Sequence, residues 1–129
     1  MSLKVLIVDD SRAMRGMIRR VIAISGLEVS ECLEAGDGLE ALEVLGSNRV
    51  DVVLADINMP RMNGEELVQE MSKRGIIRSV SVIIISTDGT SLRRSRLTEL
   101  GAAGYLTKPF VPEALRDEVE RVLGDAHAA

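Results

Sequence analysis

The sequence predicts an α/β protein built on a parallel, doubly wound sheet of five strands with helices on both faces. Three observations carry that expectation. Short apolar runs alternate with stretches of helical apolar spacing five times over 129 residues. Several runs are apolar and β-branched at almost every position, as strands covered on both faces are. Strict alternation calls for crossover connections, and these are right-handed in βαβ units.

The first run, Lys4–Val8 (KVLIV), predicts a buried strand. Ser11 offers a helix N-cap, and Met14, Met17, Ile18 and Val21 recur at helical spacing until Gly26. Glu28–Ala35 reads as a second strand, less uniformly apolar and so nearer an edge. Gly36–Gly38 (GDG) predicts a turn, followed by a helix marked by Leu39, Leu42 and Leu45 and stopped by Gly46. Val50–Ala55 is the third strand, and Asn58–Gly64 a loop broken by Pro60 and Gly64. Leu67, Val68 and Met71 mark a third helix that ends at Gly75. Val80–Ile85 is the fourth strand, Ser86–Thr90 a loop, and a fourth helix runs to Leu100 on a thin apolar face of Leu92, Leu97 and Leu100. Gly104–Thr107 is a short fifth strand. Pro112 opens the last helix, whose stripe is Leu115, Val119 and Val122.

The length suits one domain, with a core over residues 3–123 and a tail over 124–129. With only one Phe and one Tyr, the core must be aliphatic. The net charge of −4 does not favour nucleic acid binding through the bulk field. No apolar stretch approaches the roughly 18–20 residues needed to cross a bilayer, so no membrane insertion is expected. Cys32 is the single cysteine; it rules out an internal disulfide and reads as a small buried thiol. With no secretory signal pattern at the N-terminus, these features predict a cytoplasmic protein.

In such sheets the site lies outside the carboxyl ends of the strands. There the sequence places Asp9 and Asp10 after strand one, Asp56 after strand three, Ser86 and Thr87 after strand four, and Lys108 after strand five. Each alone reads more readily as a cap or turn residue than as a catalyst. Together on one rim they ask for another explanation. Three close carboxylates repel unless a cation is present. An oxygen-only donor set suits Mg²⁺ or Mn²⁺. Lys108 adds a mobile positive charge, and Ser86 a hydrogen bond, for a phosphoryl oxygen. This is equipment for phosphoryl transfer to a carboxylate, and the chemistry leaves open which acid attacks.

The segments VLIVDDS, EAGDGLEAL, DVVLADINMPRMNG, VIIIST and GAAGYLTKPF, in this order and spacing, resemble the receiver domains of two-component response regulators, particularly the single-domain chemotaxis type. The resemblance covers about residues 3–123 and implies a flavodoxin-like fold with strand order 2-1-3-4-5. It implies that Asp56 is the phosphoacceptor. It further implies that Asp10, Asp56 and the Asn58 carbonyl hold Mg²⁺ or Mn²⁺, with Asp9 reaching the ion directly or through water. Ser86 corresponds to the switch hydroxyl, Lys108 to the lysine that pairs with the phosphoryl group, and Tyr105 to the aromatic that changes rotamer. The Lys108–Pro109 bond is expected to be cis. Backbone N–H groups of Asn58 and Thr87 complete a phosphoryl cradle, while the side chains of Asn58 and Asp88 flank the approach of water and tune dephosphorylation. The implied partners are a histidine kinase or phosphotransfer protein as donor, and a downstream protein on the face of helix 4, strand 5 and helix 5. Catalysis is confined to the chain's own phosphorylation and dephosphorylation.

The chain departs from the family pattern at two places. Thr87 stands where a small alanine is frequent, and Arg94 where the chemotaxis type usually has an apolar docking residue. Arg93, Arg94 and Arg96 read either as a partner surface or as a solvated face. His127, in an Ala-rich tail, reads as disordered rather than as a phosphodonor. Two other functions fit parts of the pattern. One is the receiver fragment of a longer regulator with a DNA-binding or enzymatic output. The other is an aspartate-nucleophile phosphatase of the haloacid dehalogenase type, which would need an acid where Asn58 stands.

Overall fold

The computed structural model describes residues 2–127. Its strands are β1 (Leu3–Val8), β2 (Val29–Ala35), β3 (Val52–Asp56), β4 (Ser81–Ser86) and β5 (Gly104–Thr107). Its helices are α1 (Arg12–Ser25), α2 (Gly38–Ser47), α3 (Gly64–Lys73), α4 (Ser91–Leu100) and α5 (Pro112–His127). All pairings are parallel, and the strand order is β2-β1-β3-β4-β5, as expected.

Successive strand side chains point to opposite faces, so each buried strand feeds two cores. Leu6, Val8, Val53, Ala55, Val82 and Ile84 pack with Ala41, Leu42, Leu67, Val68, Met71 and Leu97 of α2, α3 and α4. Val5, Ile7, Val52, Leu54, Ile83 and Ile85 pack with Ile18, Ile22, Leu115, Val119 and Val122 of α1 and α5. Each fully buried aliphatic side chain contributes roughly 1.5–3 kcal/mol. The two half-cores hold β1, β3 and β4 rigidly, and with them whatever projects from their ends.

The structure moves several predicted boundaries. Gly46 does not stop α2. The helix runs to Ser47, and the Asn48 side chain closes it by donating to the Val44 carbonyl at 3.0 Å. Gly38 is the first residue of that helix rather than part of a turn, because Asp37 is the N-cap and accepts from the Glu40 N–H. Leu39 and Met17, expected on core faces, are exposed; α2 buries Ala41 and Leu42 instead, and α1 buries Ile18 and Ile22. Leu92 is 81% exposed, so α4 is fastened to the core by Leu97 with help from half-buried Leu100. A 3₁₀ turn over Ile76–Arg78 follows Gly75. Cys32 is half-buried rather than buried. α5 continues to His127, replacing the tail expected from residue 124; residues 128 and 129 lie outside the described residues.

Asn63 and Glu66 form a reciprocal capping box at the start of α3. Gly64 beside it is required by a close approach. A Cβ there would collide with the Asp56 carbonyl oxygen, and the Gly64 N–H donates to the Ile57 carbonyl at 2.9 Å.

Candidate functional site

The carboxyl edge of the sheet carries the site. β1 and β3 lie side by side with Val8 opposite Ala55, so the residues that follow, Asp9 and Asp56, emerge together. Carboxylate oxygens of Asp9, Asp10 and Asp56 lie within 4.8 Å of one another. Asp10 is exposed, Asp56 half-buried, and Asp9 only 2% exposed. One oxygen of Asp9, Oδ1, accepts the Ser11 N–H at 2.8 Å. The other, Oδ2, is buried without a hydrogen-bond partner. Arg15 anchors the same residue from behind, its Nη1 donating to the Asp9 carbonyl at 2.6 Å.

Lys108 Nζ sits 3.3 Å from Asp56 Oδ1 and 3.9 Å from Asp9 Oδ2, the second distance too long for a hydrogen bond. Burial pushes the Asp9 carboxyl up; the Ser11 N–H opposes this, Asp56 and Asp10 add to it, and Lys108 offsets only part, leaving it above its ordinary value. One lysine therefore does not balance three carboxylates. Converging oxygen donors, with one buried oxygen left over and no nitrogen or sulfur ligand, fit a hard divalent cation such as Mg²⁺.

The remaining expected residues fall around this cluster. Ser86 is buried at the end of β4, with Oγ accepting the Asp88 N–H at 3.1 Å. The Lys108 N–H donates to the Ser86 carbonyl at 2.8 Å, which sets the lysine beside the serine, and the Lys108–Pro109 bond is cis. Asn58 and Thr87 are exposed at the rim. The Asp88 carboxylate accepts the Thr90 N–H at 3.0 Å and lies 3.6 Å from Arg93, the contacts of a turn cap. Tyr105 is buried, and its hydroxyl donates to the Asp88 carbonyl. Arg94 lies over the Tyr105 ring, 5.3 Å from its centre, and Arg96 pairs with Glu65 of α3 at 2.9 Å. The α4 arginines are thus engaged within the chain. Beside Lys108, a groove of about 340 Å³ opens between Met14, Met17, Ile18 and Val21 of α1 and the Pro109–Phe110 segment.

Sequence reasoning missed two neighbours of the site. Asp37 pairs at 2.7 Å with Arg61, which lies in the loop that carries Asn58. Glu118 of α5 accepts the Tyr105 N–H at 2.8 Å. Neither pairing has a local spacing signal, since each joins residues far apart in the chain.

The family model for the response regulator receiver domain matches residues 5–120. The chain belongs to the response regulator receiver family. Chemotaxis protein CheY1 of Helicobacter pylori is 37% identical over 123 residues, covering 95% of this chain and 98% of that one. The chemotaxis protein CheY homolog of Campylobacter jejuni is 36% identical over 95% of this chain and 93% of its own. The response regulator MprA of Mycobacterium tuberculosis is 33% identical over 95% of this chain, but that stretch is 51% of MprA. The structure of Vibrio cholerae chemotaxis protein CheY4 superposes with a TM-score of 0.82 at 34% identity, covering 95% of this chain and 99% of that one. The receiver is thus a CheY homologue of two-component signalling. Receivers of this family bind Mg²⁺ in an acidic pocket and interact with histidine kinases and downstream targets. The Asp9–Asp10–Asp56 cluster could hold such an ion.

Proposed function

We propose that Asp56 accepts a phosphoryl group from the phosphohistidine of a histidine kinase or phosphotransfer protein, and that the modified receiver, working as one unit over residues 3–123, changes its affinity for a downstream protein. The observation that supports this best is the meeting of three carboxylates within 4.8 Å, with Lys108 at 3.3 Å from Asp56.

A carboxylate oxygen of Asp56 attacks phosphorus while the phosphorus–nitrogen bond of the donor breaks, and the imidazole leaves with a proton. Asp9, Asp10, Asp56 and the Asn58 carbonyl would hold Mg²⁺ (or Mn²⁺), which when bound supplies positive charge against the phosphoryl oxygens. Lys108 moves from the bare carboxylate to the phosphoryl group, and N–H groups of Asn58 and Thr87 cradle it. Phosphorylation adds about −1.5 to −2 charges and three acceptors. Ser86 Oγ can then donate to one of them. That turn disturbs its contact with the Asp88 N–H, and through the Asp88 carbonyl the hydroxyl of Tyr105. The α4–β5–α5 face, where Arg94 covers Tyr105, is therefore the surface that a downstream protein would read. The apolar groove beside Lys108 is placed to meet the donor. Asn58 and Asp88 flank the later attack of water that resets the switch.

The family assignment sets aside the phosphatase reading. Incubation with Mg²⁺ and acetyl phosphate, followed by mass spectrometry, tests the acceptor: one phosphoryl group is expected on the native chain and none on Asp56→Asn. An unlabelled native chain, or a fully labelled variant, refutes it.

A further inference from the structure

We propose that Asp37 and Arg61 form a clasp that positions the β3–α3 loop, and with it the Asn58 backbone, against the acid cluster. The clasp matters to phosphorylation only if Asp56 is the acceptor, as proposed above.

Arg61 is the only non-glycine among the described residues with positive φ, 61°. L side chains occupy that region when something holds them there. Here the holder is Asp37. Its Oδ1 accepts the Glu40 N–H at 2.9 Å and so caps α2. Its Oδ2 accepts Arg61 Nε at 2.7 Å, a contact the cap does not need. Asp37 is 4% exposed, whereas the Arg61 side chain is 57% exposed, so the arginine reaches inward to a buried carboxylate. Beside this pair the Gly38 N–H donates to the Met62 carbonyl at 3.0 Å, and Met62 packs where a Gly38 side chain would stand. At the other end the Gly64 N–H holds the Ile57 carbonyl. The loop is therefore fixed at Ile57 and again at Arg61–Met62, with Asn58 between. Groups that orient a ligating atom from behind typically change metal affinity about 10-fold or more when removed.

Metal-free amide hydrogen exchange of residues 57–63, Mg²⁺ titration by calorimetry, and the acetyl phosphate labelling rate would be compared for the native chain, Arg61→Gln, Arg61→Lys and Asp37→Asn. Arg61→Gln and Asp37→Asn are expected to speed loop exchange about tenfold, with Val53 and Val82 in the sheet unchanged, and to weaken Mg²⁺ binding about tenfold. Arg61→Lys, which keeps the charge, recovers most of both. The double variant Asp37→Asn/Arg61→Gln falls no further than Arg61→Gln alone, because the arginine change already removes the Asp37 contact, together with the longer 3.6 Å approach to Glu40. Should Asp37→Asn unfold, the Arg61 pair decides, since that side chain caps no helix. Loop exchange and Mg²⁺ affinity within twofold of native in Arg61→Gln would overturn the clasp, as would Arg61→Lys falling as far as Arg61→Gln. A native chain that neither binds Mg²⁺ nor takes up phosphoryl overturns the Asp56 reading and the clasp with it. Native binding with unaltered variants overturns the clasp alone.

Discussion

Asp9 carries a conflict that the fold does not resolve by itself. Its Oδ2 is buried without a hydrogen-bond partner, and its neighbours are two further acids. A buried unsatisfied polar atom costs roughly 1–3 kcal/mol. Asp9→Asn should keep the Oδ1 contact with the Ser11 N–H while removing the charge. In EDTA its urea unfolding free energy is expected to rise by about 1 kcal/mol. In Mg²⁺ the order reverses, because the variant binds the ion at least about tenfold more weakly. A lower stability in EDTA would contradict the charge conflict. Two glycines give a second test at this scale. Gly46 lies inside α2 with open space where a side chain would stand, so Gly46→Ala should stabilise by about 0.5–1 kcal/mol. Gly64→Ala meets the Asp56 carbonyl, and should cost about 1–3 kcal/mol and slow labelling at Asp56. Urea titration of both variants checks the opposite signs.

β5 is a four-residue edge strand, and α5 holds it through Leu106, packed with Leu115, Val119 and Val122, and through one carboxylate. Glu118 accepts the Tyr105 N–H at 2.8 Å and Arg121 at 2.9 Å. Burial pushes its carboxyl up, but Arg121, the Tyr105 N–H and Arg94 pull harder, leaving it below its ordinary value of 4.5. A carboxylate lowered on folding stabilises above its unfolded value, and that contribution disappears as pH falls through the folded one. The native chain should therefore exceed Glu118→Gln in stability at pH 7, and the gap should close as pH drops below 4.5. Unfolding curves at pH 7, 5, 4 and 3 read it, and a gap constant with pH would refute it. α4 presents the opposite case. Leu97 is its single buried residue, and arginine contacts to Glu65, Asp88 and Tyr105 do much of the rest. Exposed pairs contribute about 0.2–1 kcal/mol and are screened by salt. Amides of α4 should exchange faster than those of α3, more so in 0.5 M NaCl and in Arg96→Gln. Equal protection in the two helices would show that α4 has a firmer anchor.

For the whole molecule, an ion that binds only the folded state stabilises it by mass action, about 2.7 kcal/mol at a concentration 100 times the dissociation constant. The melting temperature of the native chain should climb with Mg²⁺, and that of Asp10→Asn much less; identical curves would mean that the acid cluster holds no ion. The alternation of runs made the sheet legible, because doubly buried strands must be apolar at nearly every position. Asp9, Asp10, Asp56, Ser86 and Lys108 were legible for a related reason: a residue just past a parallel strand has one place to go, the carboxyl rim. The ends of α2 and α5 were not legible. A glycine tolerated in a solvent-facing turn at 46, and a helix continuing past Leu123 into residues the sequence assigned to a tail, depend on neighbours and on local continuation rather than on periodicity. By itself, then, the sequence determined the layers, the order of elements and the acids, serine and lysine on the rim, since these follow from local apolar pattern. Only the tertiary structure decided that Asp37 meets Arg61, that Glu118 holds Tyr105, and that the α4 arginines are spoken for within the chain. Those contacts join residues 11 to 31 positions apart, where packing geometry and not spacing selects the partner.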